Sequence, residues 1–416
     1  MINLKKIKNI TSLASASVVS QFSFVIFAPL LYRLYPIESF GDLAIFTAFS
    51  TTLTVFFHFQ LSQGIILEKS HEKAFKLIFS LVTISVIMFL LFFAATIIFN
   101  GSLDFIYNFN FVSIKYLIPL QALIFSLNEI FRQWFSRTKK YNKISIFIFL
   151  CTFLNPLVAC VFYYLGFKNN GLVYSALASQ FFGLLYFTLH FLNNEFFSLW
   201  EFKKVDFKKS IIRNQDFLKF NLFSEFINRL TSQSPNIIIG FLFGIPAVAL
   251  FDLALKIVNI PIKISNFSVG ETFKMDAIND LNKNNNYKKT FIRYSAFLII
   301  VSVIILILFY AFSELFIDLY FGSKWIETNS ILKVLIWYAI FKLIVSPLSY
   351  SYFISKKLRE DLFVHFYMAL SMVLISALSY FLNLELNTFL ILFSFNFIII
   401  YTYTYIRSYM FSKKKS

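Results

Sequence analysis

The sequence predicts an all-α membrane protein of about twelve transmembrane helices, arranged as two groups of six. First, 58% of the 416 residues are hydrophobic and 14% are charged, whereas a soluble domain carries about 25% charged residues. Second, the apolar residues form runs of the length, about 20 residues, that a helix needs to cross the hydrocarbon core. Third, lysine and arginine concentrate in alternate loops. Lipid is therefore the expected solvent of most of the surface.

The apolar runs define the predicted spans. The first six cover residues 12–35, 42–66, 75–99, 116–136, 144–166 and 171–192. The second six cover residues 217–243, 246–268, 293–312, 330–354, 361–382 and 386–408. The first span follows a basic N-terminal segment and lacks an Ala-x-Ala cleavage site, so we expect a retained helix rather than a removed signal peptide. The predicted domains are an N-terminal six-helix bundle (1–192), a cytoplasmic linker loop (193–216) and a C-terminal six-helix bundle (217–416).

The loop charges orient these spans. When the N-terminus is placed in the cytoplasm, the basic loop residues fall on the inner side, and only Lys115, Lys168 and Lys324 lie in the outward loops. This asymmetry follows the positive-inside rule and predicts that both termini are cytoplasmic. The same distribution explains the net charge of +17. Because the basic residues form short runs between apolar segments, we predict no nucleic-acid binding.

The sequence carries no signature of catalysis or of a metal centre. Cys151 and Cys160 lie nine residues apart in one predicted span, so they face opposite sides of a helix and cannot form a disulfide. No phosphate-binding glycine-rich loop, metal-ligand cluster or nucleophile motif is found. We therefore expect no enzymatic activity, no catalytic residue and no cofactor.

A membrane enzyme, such as a polysaccharide polymerase or a glycosyltransferase, is the alternative from another functional class. Such an enzyme would be expected to carry its catalytic residues on a large outer loop. The longest predicted outer loop here, 313–329, is short, and its acids Glu314, Asp318 and Glu327 are not accompanied by dense basic residues. The loop lengths therefore favour a transporter.

Ionisable residues inside the spans need a reason, because each costs about 2.5–3.5 kcal/mol at the centre of a membrane helix. Three pairs have helical spacing: Glu129 with Arg132, Glu225 with Arg229, and Asp252 with Lys256. Residues three or four positions apart share a helix face and can form ion pairs. Each pair either neutralises itself for insertion or lines a hydrated interior. Under both interpretations the pairs face protein or water and not lipid.

The remaining intramembrane charges differ in depth. Arg33 lies near the outer end of the first span, and Lys263 and Lys333 lie toward span ends, where long side chains can reach the headgroups. Lys342 lies about 18 Å into the tenth span, with no acid within four positions, so it needs a partner on another helix or an aqueous cavity. His58 is either a packing residue or a proton carrier. Interior bases outnumber interior acids, which favours an anionic substrate.

Several segments resemble a known family. Residues 27–36 (FAPLLYRLYP), followed by Phe40-Gly41, resemble the first helix and loop of Wzx-type O-antigen flippases. Residues 244–261, 321–325 and 346–349 are similar to later loops and helices of the same family. These proteins are polysaccharide translocases of the multidrug/oligosaccharidyl-lipid/polysaccharide (MOP) exporter superfamily. One departure is the stretch 60–68, which stands where many members carry an Arg-Tyr-Glu-type charged sequence. The role of the arginine in that sequence therefore does not carry over to this chain.

The resemblance implies a MOP/MATE-like fold with two six-helix bundles around a central cationic cavity. It implies that the substrate is an oligosaccharide repeat unit of O-antigen, capsule or exopolysaccharide, linked to undecaprenyl pyrophosphate. This substrate would move from the cytoplasmic to the periplasmic leaflet of the bacterial inner membrane by alternating access. The expected partners are this lipid-linked oligosaccharide, membrane lipids, a polysaccharide polymerase and a chain-length regulator protein.

The candidate site residues fall into two groups. The expected substrate-binding residues are Arg33, Arg132, Arg229, Lys256 and Lys342. The expected charge partners or ion-coupling residues are Glu129, Glu225, Asp252 and His58. The coupling ion, H⁺ or Na⁺, is left open by the sequence. The sequence also leaves open three alternative functions: a cation-coupled multidrug exporter of the same superfamily, a lipid II flippase (a family that usually has fourteen helices), and a membrane scaffold.

Overall fold

A computed structural model describes residues 23, 25–68, 70–99, 114–200 and 222–413, without the side chains of 194–200, 267 and 358. The regular secondary structure of these residues is entirely helical. The helices are α1 (Val25–Leu34), α2 (Ile37–His58), α3 (Gly64–Leu67), α4 (His71–Ile98), α5 (Leu117–Arg137), α6 (Tyr141–Tyr164), α7 (Gly171–Trp200), α8 (Leu222–Phe243), α9 (Ile245–Ser265), α10 (Glu271–Asn284), α11 (Lys288–Phe321), α12 (Thr328–Leu348), α13 (Tyr350–Ile354), α14 (Leu358–Phe381) and α15 (Leu386–Lys413).

The described helices confirm the predicted all-α membrane fold. Nine spans within the described ranges are long and apolar enough to cross a membrane: α2, α4, α6, α7, α9 with α10, α11, α12 with α13, α14 and α15. Helices α5 and α8 have similar lengths, 21 and 22 residues, but are less apolar because they carry the two Glu–Arg pairs. Helix α1 covers the described part of the first predicted span. Each of the predicted spans therefore corresponds to a described helix.

Several helix ends differ from the predicted loops. The stretch 269–292 was expected to be a loop, but α9 continues through a π-helical turn, Asn266–Gly270, into α10. Similarly, α11 runs to Phe321, so that most of the predicted outer loop 313–329 is helical. The physical reason in α11 is that the helix contains no glycine or proline. Helix α11 ends only where Gly322 adopts a left-handed φ of 99°, which glycine tolerates without strain.

The predicted linker also begins as helix. Helix α7 continues to Trp200, so the first eight residues of the predicted linker are helical, and the rest of the stretch 193–216 lies outside the described residues. The chain divides into two compact units, residues 1–233 and 234–416. The division falls inside α8, next to Pro235.

The N-terminal unit is held together by an aromatic core and by close helix contacts. One cluster of buried rings lies between α4, α5 and α7: Phe75, Trp134, Phe135, Phe187 and Phe191. Helices α6 and α7 approach closely at Gly183, where an added Cβ would lie 2.6 Å from Cys151 Sγ. Small residues at such crossings are typical of membrane helices, because close backbone approach increases van der Waals contact.

A proline in α6 shows how a freed backbone group is satisfied. Pro156 cannot donate a hydrogen bond to the carbonyl four residues earlier, that of Thr152. The Ser23 hydroxyl donates to this carbonyl at 2.8 Å. Every backbone polar group at membrane depth needs such a partner, since lipid offers none. The contact therefore ties the first span to α6.

In the C-terminal unit, α12 is the central helix. It packs against α9, α11 and α15. Its buried face includes Leu335 and Tyr338, and the Tyr338 ring contacts Phe393 and Phe397 of α15. This arrangement places Lys342, one turn after Tyr338, between apolar helices.

Candidate functional site

A cavity of about 630 Å³ opens in the N-terminal unit between α2, α5 and the first turns of α8. Its polar lining includes both Glu–Arg pairs singled out in the sequence, although the second pair was expected in the C-terminal bundle. The lining residues are Thr51, Thr54, Val55, His58, Gln60, Gln63, Ile66, Leu67, Phe125, Glu129, Arg132, Gln133, Glu225 and Arg229. The structure thus brings five of the nine candidate residues into one cavity.

The first pair lies on α5. Arg132 donates from Nε and Nη2 to the two carboxylate oxygens of Glu129, both at 2.8 Å. Gln133 donates to the same carboxylate at 2.5 Å. The i,i+3 spacing puts both side chains on one helix face, and 49% of the Arg132 side chain is exposed. This guanidinium is therefore held in place while it remains accessible from the cavity.

The second pair lies on α8. Arg229 donates from Nε to Glu225 at 2.8 Å, and 41% of its side chain is exposed. The start of α8 is fixed against α2 by the rings of Phe226 and Phe56, whose centroids are 5.1 Å apart. Among the described residues, Arg229 makes a single side-chain hydrogen bond, through Nε, so its Nη1 and Nη2 groups donate none.

His58 closes one side of the cavity. Its side chain is buried, and its Nδ1 accepts a hydrogen bond from the backbone N–H of Gln60 at 3.3 Å. The ring interacts electrostatically with Arg229 and Glu225. Ser85 of α4 donates to the carbonyl of Phe57 at 3.1 Å, which fixes the last turn of α2.

This cavity is electrically balanced. Its two arginines face two glutamates, so it holds no excess of fixed charge among its lining residues. A guanidinium can hold carboxylate or phosphate oxygens through two parallel N–H groups. An entering phosphate can therefore take the place of each glutamate. Within the described ranges, no three His, Cys, Asp or Glu side chains lie close enough to hold a metal ion.

The predicted excess of positive charge lies in the C-terminal unit. Lys256 pairs with Asp252 on α9 at 2.6 Å. Lys342 Nζ donates to Asn259 Oδ1 at 3.3 Å and lies 5.9 Å from the centroid of the Tyr338 ring. Lys263 lies within electrostatic range of both Lys256 and Lys342. Three ammonium groups therefore face one carboxylate, and Lys342 has the partner on another helix that its depth required.

Arg33 is the candidate that joins neither group. It is exposed near the end of α1 and does not line the N-terminal cavity. Its position fits the interpretation that a basic residue near a span end extends toward the headgroups.

Sequence reasoning missed several polar residues. Asn259 holds Lys342, and it follows Lys256 by three positions, a helical spacing that would have marked it. Gln133 follows Glu129 by four positions and reinforces its pair in the same way. Asp42 has a buried Oδ1 without a hydrogen-bond donor among the described residues. It was overlooked because it stands at the boundary of the second predicted span.

Comparisons with known proteins identify the family and the fold. The profile of the family described as "polysaccharide biosynthesis protein" matches residues 30–330. The teichuronic acid biosynthesis protein TuaB of Bacillus subtilis (strain 168) is 32% identical over 137 residues, which cover 32% of this chain and 28% of that protein. The alignment thus spans less than a third of that relative's length.

Solved structures share the fold over nearly the whole chain. The lipid II flippase MurJ, in an inward closed conformation, superposes with a TM-score of 0.73 at 15% identity, covering 97% of this chain and 89% of MurJ. An inward-facing multidrug resistance MATE transporter of the MOP superfamily gives a TM-score of 0.64 at 13% identity, covering 95% and 94%. The fold is therefore that of MOP-superfamily transporters, as the sequence resemblance implied. The chain is a multi-pass membrane protein and belongs to the polysaccharide biosynthesis protein family.

Proposed function

We propose that the protein is a flippase for oligosaccharide repeat units linked to undecaprenyl pyrophosphate. It would carry them from the cytoplasmic to the periplasmic leaflet of the bacterial inner membrane. One observation carries this proposal: Arg132 and Arg229 share an accessible cavity, each held by a glutamate that a phosphate can replace. Membership in a polysaccharide biosynthesis family and the fold of lipid and drug transporters support it.

The Glu–Arg pairs explain how such a cavity exists without its substrate. An unpaired guanidinium at membrane depth is costly, so Glu129 and Glu225 stabilise the empty state. When the pyrophosphate enters, each arginine exchanges a carboxylate for phosphate oxygens, and the released carboxylates become available to H⁺ or Na⁺. Ligand-dependent exchange of this kind shifts the balance between inward- and outward-open states, as alternating access requires.

The C-terminal unit carries an excess of positive charge of its own. Lys256, Lys263 and Lys342 together exceed the charge of Asp252, which suits acidic groups of the headgroup or of the sugars. A cation-coupled drug exporter would be expected to show the opposite balance, with acids exceeding bases. The loop charges predict that both termini are cytoplasmic. The substrate would be loaded from the cytoplasmic side, where it is synthesised.

Chemical analysis of lipid-linked intermediates tests this proposal. In a strain that lacks the gene, we expect undecaprenyl-pyrophosphate-linked repeat units to accumulate facing the cytoplasm and surface polysaccharide to be lost. The wild-type gene should reverse both changes. A Lys139→Gln variant should do the same, since Lys139 is exposed and does not line the cavity. Normal surface polysaccharide in the deletion strain would contradict the proposal.

A further inference from the structure

One wall of the N-terminal cavity is a broken helix end. Helix α2 stops at His58 because Phe59 and Gln60 adopt left-handed φ values of 49° and 56°. A 3₁₀ turn, Leu61–Gln63, and the short helix α3 follow. The stretch Phe59–Glu68, called here the wall segment, contributes Gln60, Gln63, Ile66 and Leu67 to the cavity lining. Left-handed backbone is strained for residues other than glycine, so two such residues in succession need compensating contacts.

Two anchors hold the wall segment. At its start, His58 Nδ1 accepts the N–H of Gln60 at 3.3 Å. At its end, Arg137 of α5 donates from Nη1 to the carbonyls of Ile65 at 3.1 Å, Ile66 at 3.4 Å and Glu68. The arginine anchor keeps its charge at any physiological pH. The histidine anchor can gain a charge, because a neutral imidazole ring can take up a second proton.

The hydrogen bond defines the protonation state of the histidine anchor. Nδ1 accepts a hydrogen bond, so it carries no proton in this conformation. A hydronium ion would transfer its proton to Nδ1: one of its O–H bonds breaks, an N–H bond forms, and a neutral water molecule leaves. Nδ1 would then be a donor facing the N–H donor of Gln60. The anchor would become a repulsive contact.

The charges around His58 link this change to the arginine exchange. Helix α8 presents Glu225 and Arg229, both of which interact electrostatically with the ring. Helix α5 presents Glu129 and Arg132 to the same cavity. When an anion draws Arg229 away, Glu225 loses its partner and can accept the hydrogen bond of a protonated imidazole. Anion binding and proton uptake would therefore favour each other.

The other helices that pack against α2 place few charged side chains near His58. Helix α4 faces the end of α2 with Ser85 and with the ring of Phe92, which stacks on Phe57. The ionisable residues of α4 lie in its first two turns, where His71 packs on the ring of Trp134. On α7, the ring of His190 bonds to Tyr186 of its own helix.

We propose that His58 is a proton-binding switch: protonation at Nδ1 releases the wall segment and thereby changes access to the N-terminal cavity. The assignment rests on the cavity of the proposed function but concerns the protein without its substrate. A test that uses no lipid-linked sugar can therefore fail while the flippase proposal stands, and the reverse is equally true.

Pulsed electron paramagnetic resonance tests the switch. Nitroxide labels are attached at Leu67→Cys, in the wall segment, and at Leu165→Cys, at the end of α6, after replacement of Cys151 and Cys160 by Ala. Both leucines are exposed. In lipid nanodiscs, we expect a second distance population to grow about fivefold between about pH 8 and about pH 4. This range is wide enough for a buried imidazole, because desolvation disfavours its charged form. The size of the change is that expected from the loss of one hydrogen bond.

Histidine variants identify the responsible ring. The pH response should disappear in His58→Asn and persist in the matched controls His71→Gln and His190→Gln. If His58→Asn does not fold, Gln60→Gly provides the second test: glycine adopts the left-handed backbone without strain, so the response should shrink. An unchanged response in His58→Asn or in Gln60→Gly would overturn the proposal. So would the absence of a pH response in the parent protein.

Discussion

Replacing Arg132 and Arg229 together by glutamine is expected to abolish transport, whereas each single variant should retain a few per cent of it. Each arginine offers charge-assisted hydrogen bonds to a phosphate, worth about 1.5–3 kcal/mol, or about 10- to 100-fold in rate for each residue. Both side chains line one cavity and would hold one anionic group, so their combined loss should leave no measurable translocation. The measurement is the amount of cytoplasm-facing lipid-linked repeat units in a deletion strain that expresses each variant.

The paired glutamates provide matched controls. Glu129→Gln and Glu225→Gln keep both arginines and remove the carboxylates that hold them, so they should reduce transport by less than the arginine variants do. Lysine at either arginine position should restore part of the activity, because it keeps the charge but loses the bidentate fork. Wild-type transport by the double glutamine variant, at normal protein levels, would mean that the two arginines are structural.

Substituting Asp252 by asparagine is expected to produce the largest loss of stability among the charged positions. Asp252 is 15% exposed and is the carboxylate that faces Lys256 on α9. Removing one partner of a buried ion pair costs about 3–5 kcal/mol. Because 40% of the Lys256 side chain is exposed, we expect about 1–3 kcal/mol after allowance for screening. Thermal unfolding of the purified protein in detergent would measure the loss.

Removing both partners separates charge imbalance from lost packing. The double variant Asp252→Asn with Lys256→Met should regain most of the stability, since the ammonium is no longer left without its carboxylate. Lys342→Met, which removes a lysine that has no acidic partner among the described residues, should not destabilise the protein comparably. A double variant as unstable as Asp252→Asn alone would show that the carboxylate acts through contacts other than the pair.

The spans were predictable, but some of their ends were not. Long apolar runs determine where helices cross the bilayer, so α4, α6 and α14 lie where hydropathy placed them. The end of α2 was missed, and the segment that follows it is anchored by Arg137, which lies about 70 positions further along the chain. No local breaker marks that point in the sequence. The end of α11 was missed for the opposite reason: its polar residues suggested a loop although nothing interrupts the helix before Gly322.

The pairs of the site were predictable, but their grouping was not. Glu129 with Arg132 and Glu225 with Arg229 follow from spacing on a single helix. That these two pairs line one cavity depends on the packing of α5 and α8, which helical spacing alone does not encode. The same limit applies to Lys342, whose partner Asn259 is 83 positions away. Composition indicated an overall excess of bases but not that the N-terminal cavity is balanced and the excess lies in the C-terminal unit.

Translocation by the purified protein tests the central claim most directly. Proteoliposomes would carry a fluorescent polyprenyl-pyrophosphate disaccharide, and a membrane-impermeant quencher would report which leaflet holds it. We predict rapid exchange between leaflets with the wild-type protein, none above empty liposomes with the double Arg132→Gln, Arg229→Gln variant, and none for a polyprenyl disaccharide that lacks phosphate. Equal rates for the wild-type and double-variant proteins, or for the charged and uncharged lipids, would contradict the assignment of this cavity to an anionic, lipid-linked sugar.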